Sequence, residues 1–149
     1  MLHRTAFFAL LLAIGIAACA APTAPPMSMG GSAPAGLDFG TTRTGDNGLL
    51  RATYTSDRTP ISINELHTWT LSVETAEGEP VEEAVISVSG GMPEHNHGMP
   101  TQPQVTESQG GGNYRVEGMQ FQMGGLWTVT FVIEAGGVQD TVTFNLQLK

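Results

Sequence analysis

Residues 126–148, LWTVTFVIEAGGVQDTVTFNLQL, decide the fold. Trp127, Val129, Phe131 and Ile133 alternate with threonines and valine, and Val142, Phe144, Leu146 and Leu148 repeat the pattern after a turn at residues 134–137. Side chains of a strand point to opposite faces in turn, so strict alternation describes two strands with one buried face each. The short Gly-containing connection joins them as a hairpin.

The same period recurs upstream. In residues 66–74, LHTWTLSVE, the side chains of His67, Trp69, Leu71 and Val73 share one face. Residues 49–55, LLRATYT, read as an earlier strand after the turn Asp46-Asn47-Gly48. Ala84, Ile86 and Val88 line another, after the turn at Gly78-Glu79-Pro80. A short strand begins at Val105, Gly110-Gly111-Gly112 breaks it, and residues 114–121 run back. No useful stretch carries a helical period. About seven short antiparallel strands predict an all-β, immunoglobulin-like sandwich over residues 46–149, with a small barrel as the alternative.

The N-terminal third is organised differently. Arg4 precedes an apolar run at residues 6–16, AFFALLLAIGI. That run is too short for a membrane span, which needs roughly 20 apolar residues, and it has the layout of a secretory signal. It ends Ile16-Ala17-Ala18-Cys19, which resembles a bacterial lipobox, and Cys19 is the only cysteine. The expectation is a lipoprotein signal peptide at 1–18, lipidation at Cys19, and a flexible Ala/Pro/Gly/Ser tether at 19–45. Met27 and Met29 fall in the tether as filler. The chain is expected to face the periplasm or the cell surface, with the outer membrane favoured over the inner.

Charge narrows the partners. The mature chain would carry 5 basic against 14 acidic side chains. Nucleic-acid binding needs a basic face and is not expected; membrane contact is expected through the lipid alone, and the domain as a monomer. With the single cysteine committed to the anchor, disulfides and thiolate metal sites drop out.

Residues 90–103, GGMPEHNHGMPTQP, crowd Met92, His95, His97 and Met99 into a loop. His67, at the start of its strand with inward parity, and Met119 and Met123, which bracket Phe121, fall where one end of a sandwich would collect them. Imidazole suits several metals, while thioether sulfur selects copper, above all Cu(I). Zinc more often brings in a thiolate or a carboxylate, and Glu94 keeps it as the lesser reading. A blue-copper site needs a cysteine and is not expected. Against the metal, a His-x-His in a polar loop is often only solvated, and methionine also serves as core filler. No nucleophile elbow, carboxylate pair or phosphate loop is present in the sequence, so no enzyme is expected.

Three segments carry a family resemblance: Leu66-His67-x-Trp69-Thr70-Leu71, Gly91-Met92-Pro93-x-His95-x-His97-Gly98, and Phe121-x-Met123-x-Gly125-x-Trp127. Over residues 63–133 the chain resembles the YtkA-like domain, which is related to the periplasmic part of FixH. The resemblance implies an immunoglobulin-like sandwich and a role in copper handling or delivery for cuproenzyme (oxidase) assembly. The site it implies consists of His67, Met92, His95, His97 and Met123, with a cuproprotein or oxidase-assembly partner. Two positions depart from the pattern: Gly124-Gly125 replaces a turn that often holds proline, and Gln122 is a poor copper ligand. The competing expectation is a metal-free immunoglobulin-like interaction module, its long loop serving as a recognition surface.

Overall fold

The computed structural model describes residues 36–149. The expected signal peptide, Cys19 and most of the expected tether lie outside them. Nine strands follow in order: β1 (Thr42–Thr44), β2 (Leu50–Ser56), β3 (Leu66–Thr75), β4 (Val85–Met92), β5 (His97–Gly98), β6 (Gln104–Gly110), β7 (Asn113–Gln120), β8 (Gly125–Ala135) and β9 (Val138–Leu148). They form two antiparallel sheets, ordered β1-β2-β3-β7-β6 and β5-β4-β8-β9.

That order settles the choice between sandwich and barrel, since the two sheets are separate. Read from β2, it is the immunoglobulin arrangement: four strands A-B-E-D on one sheet, and C-F-G with an added C′ strand on the other. The alternation seen in the sequence is what builds the core. Trp69, Leu71 and Val73 from β3 face Trp127, Val129, Phe131 and Ile133 from β8 and Val142 and Phe144 from β9, all buried. Each such large side chain contributes roughly 1.5–3 kcal/mol on leaving water. Tyr54 stacks flat on Trp69 at 4.2 Å, and Phe144 meets Tyr54 edge-on at 4.9 Å.

Two strands exceed the expected seven. β1 lies within residues assigned to the tether, and it pairs with β2 through Thr42↔Thr53, Arg43↔Ala52 and Thr44↔Arg51. Its three residues are too few for alternation to show. β5 lies inside the loop expected at residues 90–103.

One buried acid had no place in the sequence reading. Asp140 shares its parity with Val142 and Phe144 and is fully buried. Its carboxylate accepts backbone N–H groups from Asn47 (2.9 Å), Leu49 (2.9 Å), Leu50 (3.0 Å) and Thr141 (2.8 Å). A buried carboxylate is tolerable only with such donors. Burial raises its pKa, and the N–H groups of Asn47, Leu50, Thr141 and Leu49 outweigh that and hold it below the ordinary carboxylate value. Asp140 thereby fixes the turn that leads into β2. Its signal in the sequence is a lone acid at an inward position of an alternating strand.

Candidate metal centre

The long loop is in part a hairpin. β4 continues through Met92, residues 93–96 turn, and β5 folds back with Gly91↔Gly98 and Met92↔His97 as partners. His95 N donates to Met92 O at 3.1 Å across the turn. Asn96 sits at φ 52°, a left-handed conformation that asparagine accepts more readily than most residues. Gly91 is needed for the close approach: a side-chain carbon there would lie 2.8 Å from His97 O.

Cross-strand partners share a face. Met92 points inward and is buried, so the His97 ring comes to the same side and lies edge-on to Trp127, 5.7 Å between centroids. Trp127 in turn donates its indole N–H to Met123 O at 2.9 Å, fixing the connection between β7 and β8. The result is that His97 Nε2 stands 3.3 Å from Met123 Sδ. Met123 remains 38 % exposed, so the pair opens to solvent.

The other ring nitrogen is held from two sides. Gly98 O lies 3.0 Å from His97 Nδ1 and can only accept, so the tautomer protonated at Nδ1 bonds it and leaves the Nε2 lone pair facing the sulfur, while the tautomer protonated at Nε2 donates to the sulfur. The Gln122 amide nitrogen lies 3.2 Å from Nδ1 and donates to Gly98 O at 3.2 Å. Sequence reasoning weighed Gln122 only as a ligand; its place is beside the ring, a task no residue pattern discloses.

The remaining candidates divide into two groups. His95 is exposed, its ring nearly parallel to that of His97 with centroids 6.0 Å apart. Met92 is buried, with its methyl group against Gly125, where an added side-chain carbon would lie 2.6 Å away. Met99 is half-buried and lies across Gly90. These three lie close to His97 in the chain: Met92 is its cross-strand partner, His95 is in the turn before it, and Met99 follows β5. His67 and Met119 instead occupy the core as register partners on β3 and β7. His67 Nε2 is 2.7 Å from Ser62 O, and its buried Nδ1 has no partner. Its ring meets Phe121 at 6.1 Å, Phe121 meets Trp127 at 5.2 Å, and Trp127 meets His97. His67 is therefore at the same end of the sandwich, with two aromatic rings between it and His97.

A shallow hollow of about 340 Å³ adjoins His97, lined also by Gly91, Met92, Pro93, Asn96, Gly98 and Thr128. A larger groove of about 730 Å³ lies elsewhere, bordered by Phe39, Tyr54, Ile61, Ile63, Leu146 and Leu148. The groove contains none of the imidazole or thioether donors. Among the described residues, no three His, Cys, Asp or Glu side chains converge to hold a metal.

Fold and rim together define an immunoglobulin-like sandwich module that presents an imidazole and a thioether at one end. The YtkA-like family pattern matches residues 47–132, and the chain belongs to that family. No curated protein matches the chain. Among solved structures, a DUF4426 family protein from Pseudomonas aeruginosa PAO1 is 18 % identical, with 68 % of this chain and 91 % of that one covered and a TM-score of 0.49. The ZirS C-terminal domain is 16 % identical, with 89 % and 87 % covered and a TM-score of 0.39.

Proposed function

We propose that this chain is an extracytoplasmic, lipid-anchored copper-binding protein that holds Cu(I) at His97 and Met123 for delivery to a cuproprotein or oxidase-assembly partner. The observation that carries the reading is the 3.3 Å separation of His97 Nε2 and Met123 Sδ. Metal–nitrogen and metal–sulfur bonds of about 2.0 and 2.3 Å at a tetrahedral angle put the two donors roughly 3.6 Å apart. A shift of a few tenths of an ångström at an exposed methionine admits the ion.

The donor chemistry favours copper over zinc. Imidazole with thioether and no thiolate is a soft set suited to Cu(I). The Gly98 carbonyl on Nδ1 supplies the outer contact that usually orients a ligating histidine. His95 and Met92 or Met99 complete the coordination after small movements, while Trp127 wets poorly and shields the inner side. His67 and Met119 belong to the packing beneath. An exposed sulfur on a short connection also lets a partner take the ion by ligand exchange.

A competition titration tests the reading: the full chain with Cys19→Ser, which removes the competing thiol, against a chromophoric Cu(I) chelator. Stoichiometric binding that collapses in His95→Ala/His97→Ala supports it, and no competition rejects it. In that event the apolar groove beside Tyr54 and Leu146 favours the second reading, a metal-free interaction module.

A further inference from the structure

Four methionines lie among the described residues, and their surroundings differ sharply. Met92 and Met119 are buried to 1 % and 0 % exposure, Met99 is half-buried over Gly90, and Met123 is open at 38 %. Oxidants of the peroxide class reach exposed thioethers first. The sulfur they would reach here is also the one facing His97.

We propose that Met123 is an oxidation switch for the copper centre: its sulfoxide releases copper and is held in place by His97. This rests on the copper reading above and names its regulation. In the step, a sulfur lone pair attacks one peroxide oxygen, the O–O bond breaks, and an S=O bond forms. The attacked oxygen gives up its hydrogen, and the second oxygen, leaving as hydroxide, takes that proton and becomes water. Sulfur loses two electrons and the peroxide gains them, so no further reactant is needed.

Oxidation turns a soft sulfur donor into a hard, strongly accepting oxygen. His97 has partners for both outcomes. With the proton on Nδ1, donating to Gly98 O at 3.0 Å, Nε2 is free for copper. With the proton on Nε2, it donates to the sulfoxide oxygen, and Nδ1 accepts from the Gln122 amide at 3.2 Å. The acceptor and the donor both sit beside Nδ1, so the ring changes tautomer without moving. Copper loses two donors at once, the sulfur to oxygen and the imidazole to the hydrogen bond.

The test uses the full chain with Cys19→Ser under limiting hydrogen peroxide. Peptide mass mapping follows which methionine gains an oxygen, chelator competition follows Cu(I) affinity, and ¹⁵N spectra of His97 follow the tautomer. Met123 is expected to oxidise well ahead of Met92 and Met119 and affinity to fall by about tenfold or more. The His97 proton is expected to move to Nε2, and methionine sulfoxide reductases to restore the original state. Oxidation of Met123 no faster than the buried methionines overturns the proposal, as does a sulfoxide form that binds Cu(I) like the reduced one. If the reduced chain binds no Cu(I) before any oxidation, the copper reading itself fails and the release role goes with it. Loss of selectivity with copper binding intact removes only the switch.

Discussion

The Nε2 of His97 points at the sulfur of Met123 from 3.3 Å, across 26 positions of sequence. Neither side chain arranges this alone. β5 pairs with Met92 and turns the ring inward, and the Trp127 indole pins Met123 by its carbonyl.

His67 is expected to matter for stability and not for copper. Its ring is buried and bonded to Ser62 O. His67→Ala leaves a cavity and should cost about 2–4 kcal/mol in urea unfolding. Cu(I) affinity of the folded variant should move by less than about twofold, as for sites that share no partner. A tenfold drop in affinity would put His67 in the coordination shell.

Gln122 is expected to tune the centre without binding the ion. Gln122→Ala removes the amide beside His97 Nδ1 and should weaken Cu(I) binding by about tenfold, the range typical of outer-shell partners. Copper stoichiometry should stay unchanged. Loss of stoichiometric binding would mean that Gln122 is itself a ligand.

Asp140 is expected to set the acid limit of the fold. Its folded pKa lies below the unfolded value of about 3.9 because the N–H groups around it outweigh the effect of burial. Its contribution is therefore present above about pH 4 and is lost as pH falls through the lower folded value. Asp140→Asn should cost about 2–3 kcal/mol at neutral pH and flatten the acid part of the stability profile. Parallel profiles for the two proteins would remove Asp140 from that role.

The proposed lipid anchor at Cys19 lies outside the described residues and has its own test. Cell fractionation should recover the wild-type chain with membranes and Cys19→Ser with the soluble extracytoplasmic fraction. Equal membrane recovery of the two would exclude a lipid on Cys19.

Much of the fold was legible because alternation reports burial directly. In β3, β8 and β9 the residues of one parity are buried, and the sheet order they build is the expected immunoglobulin one. β1 and β5 were not legible, because two or three residues show no period, although each pairs with the strand next to it in sequence. The site was legible in its residue types and only partly in its arrangement. His97 and Met123 come together, and His95, Met92 and Met99 lie close to His97 in the chain. His67 and Met119 share the inward parity that suggested convergence, and that parity takes them into the core instead. Period two says which face a side chain takes; it does not say whether an aromatic pair such as Phe121 and Trp127 fills the space between two candidates.

The most direct measurement is X-ray absorption at the copper edge of the Cu(I)-loaded chain, wild type beside Met123→Leu, a substitution of similar volume. The account predicts nitrogen and sulfur in the first shell of the wild type, and a fall in sulfur scattering in the variant with the imidazole contribution retained. A wild-type shell of nitrogen and oxygen alone, or sulfur scattering undiminished in Met123→Leu, would contradict it.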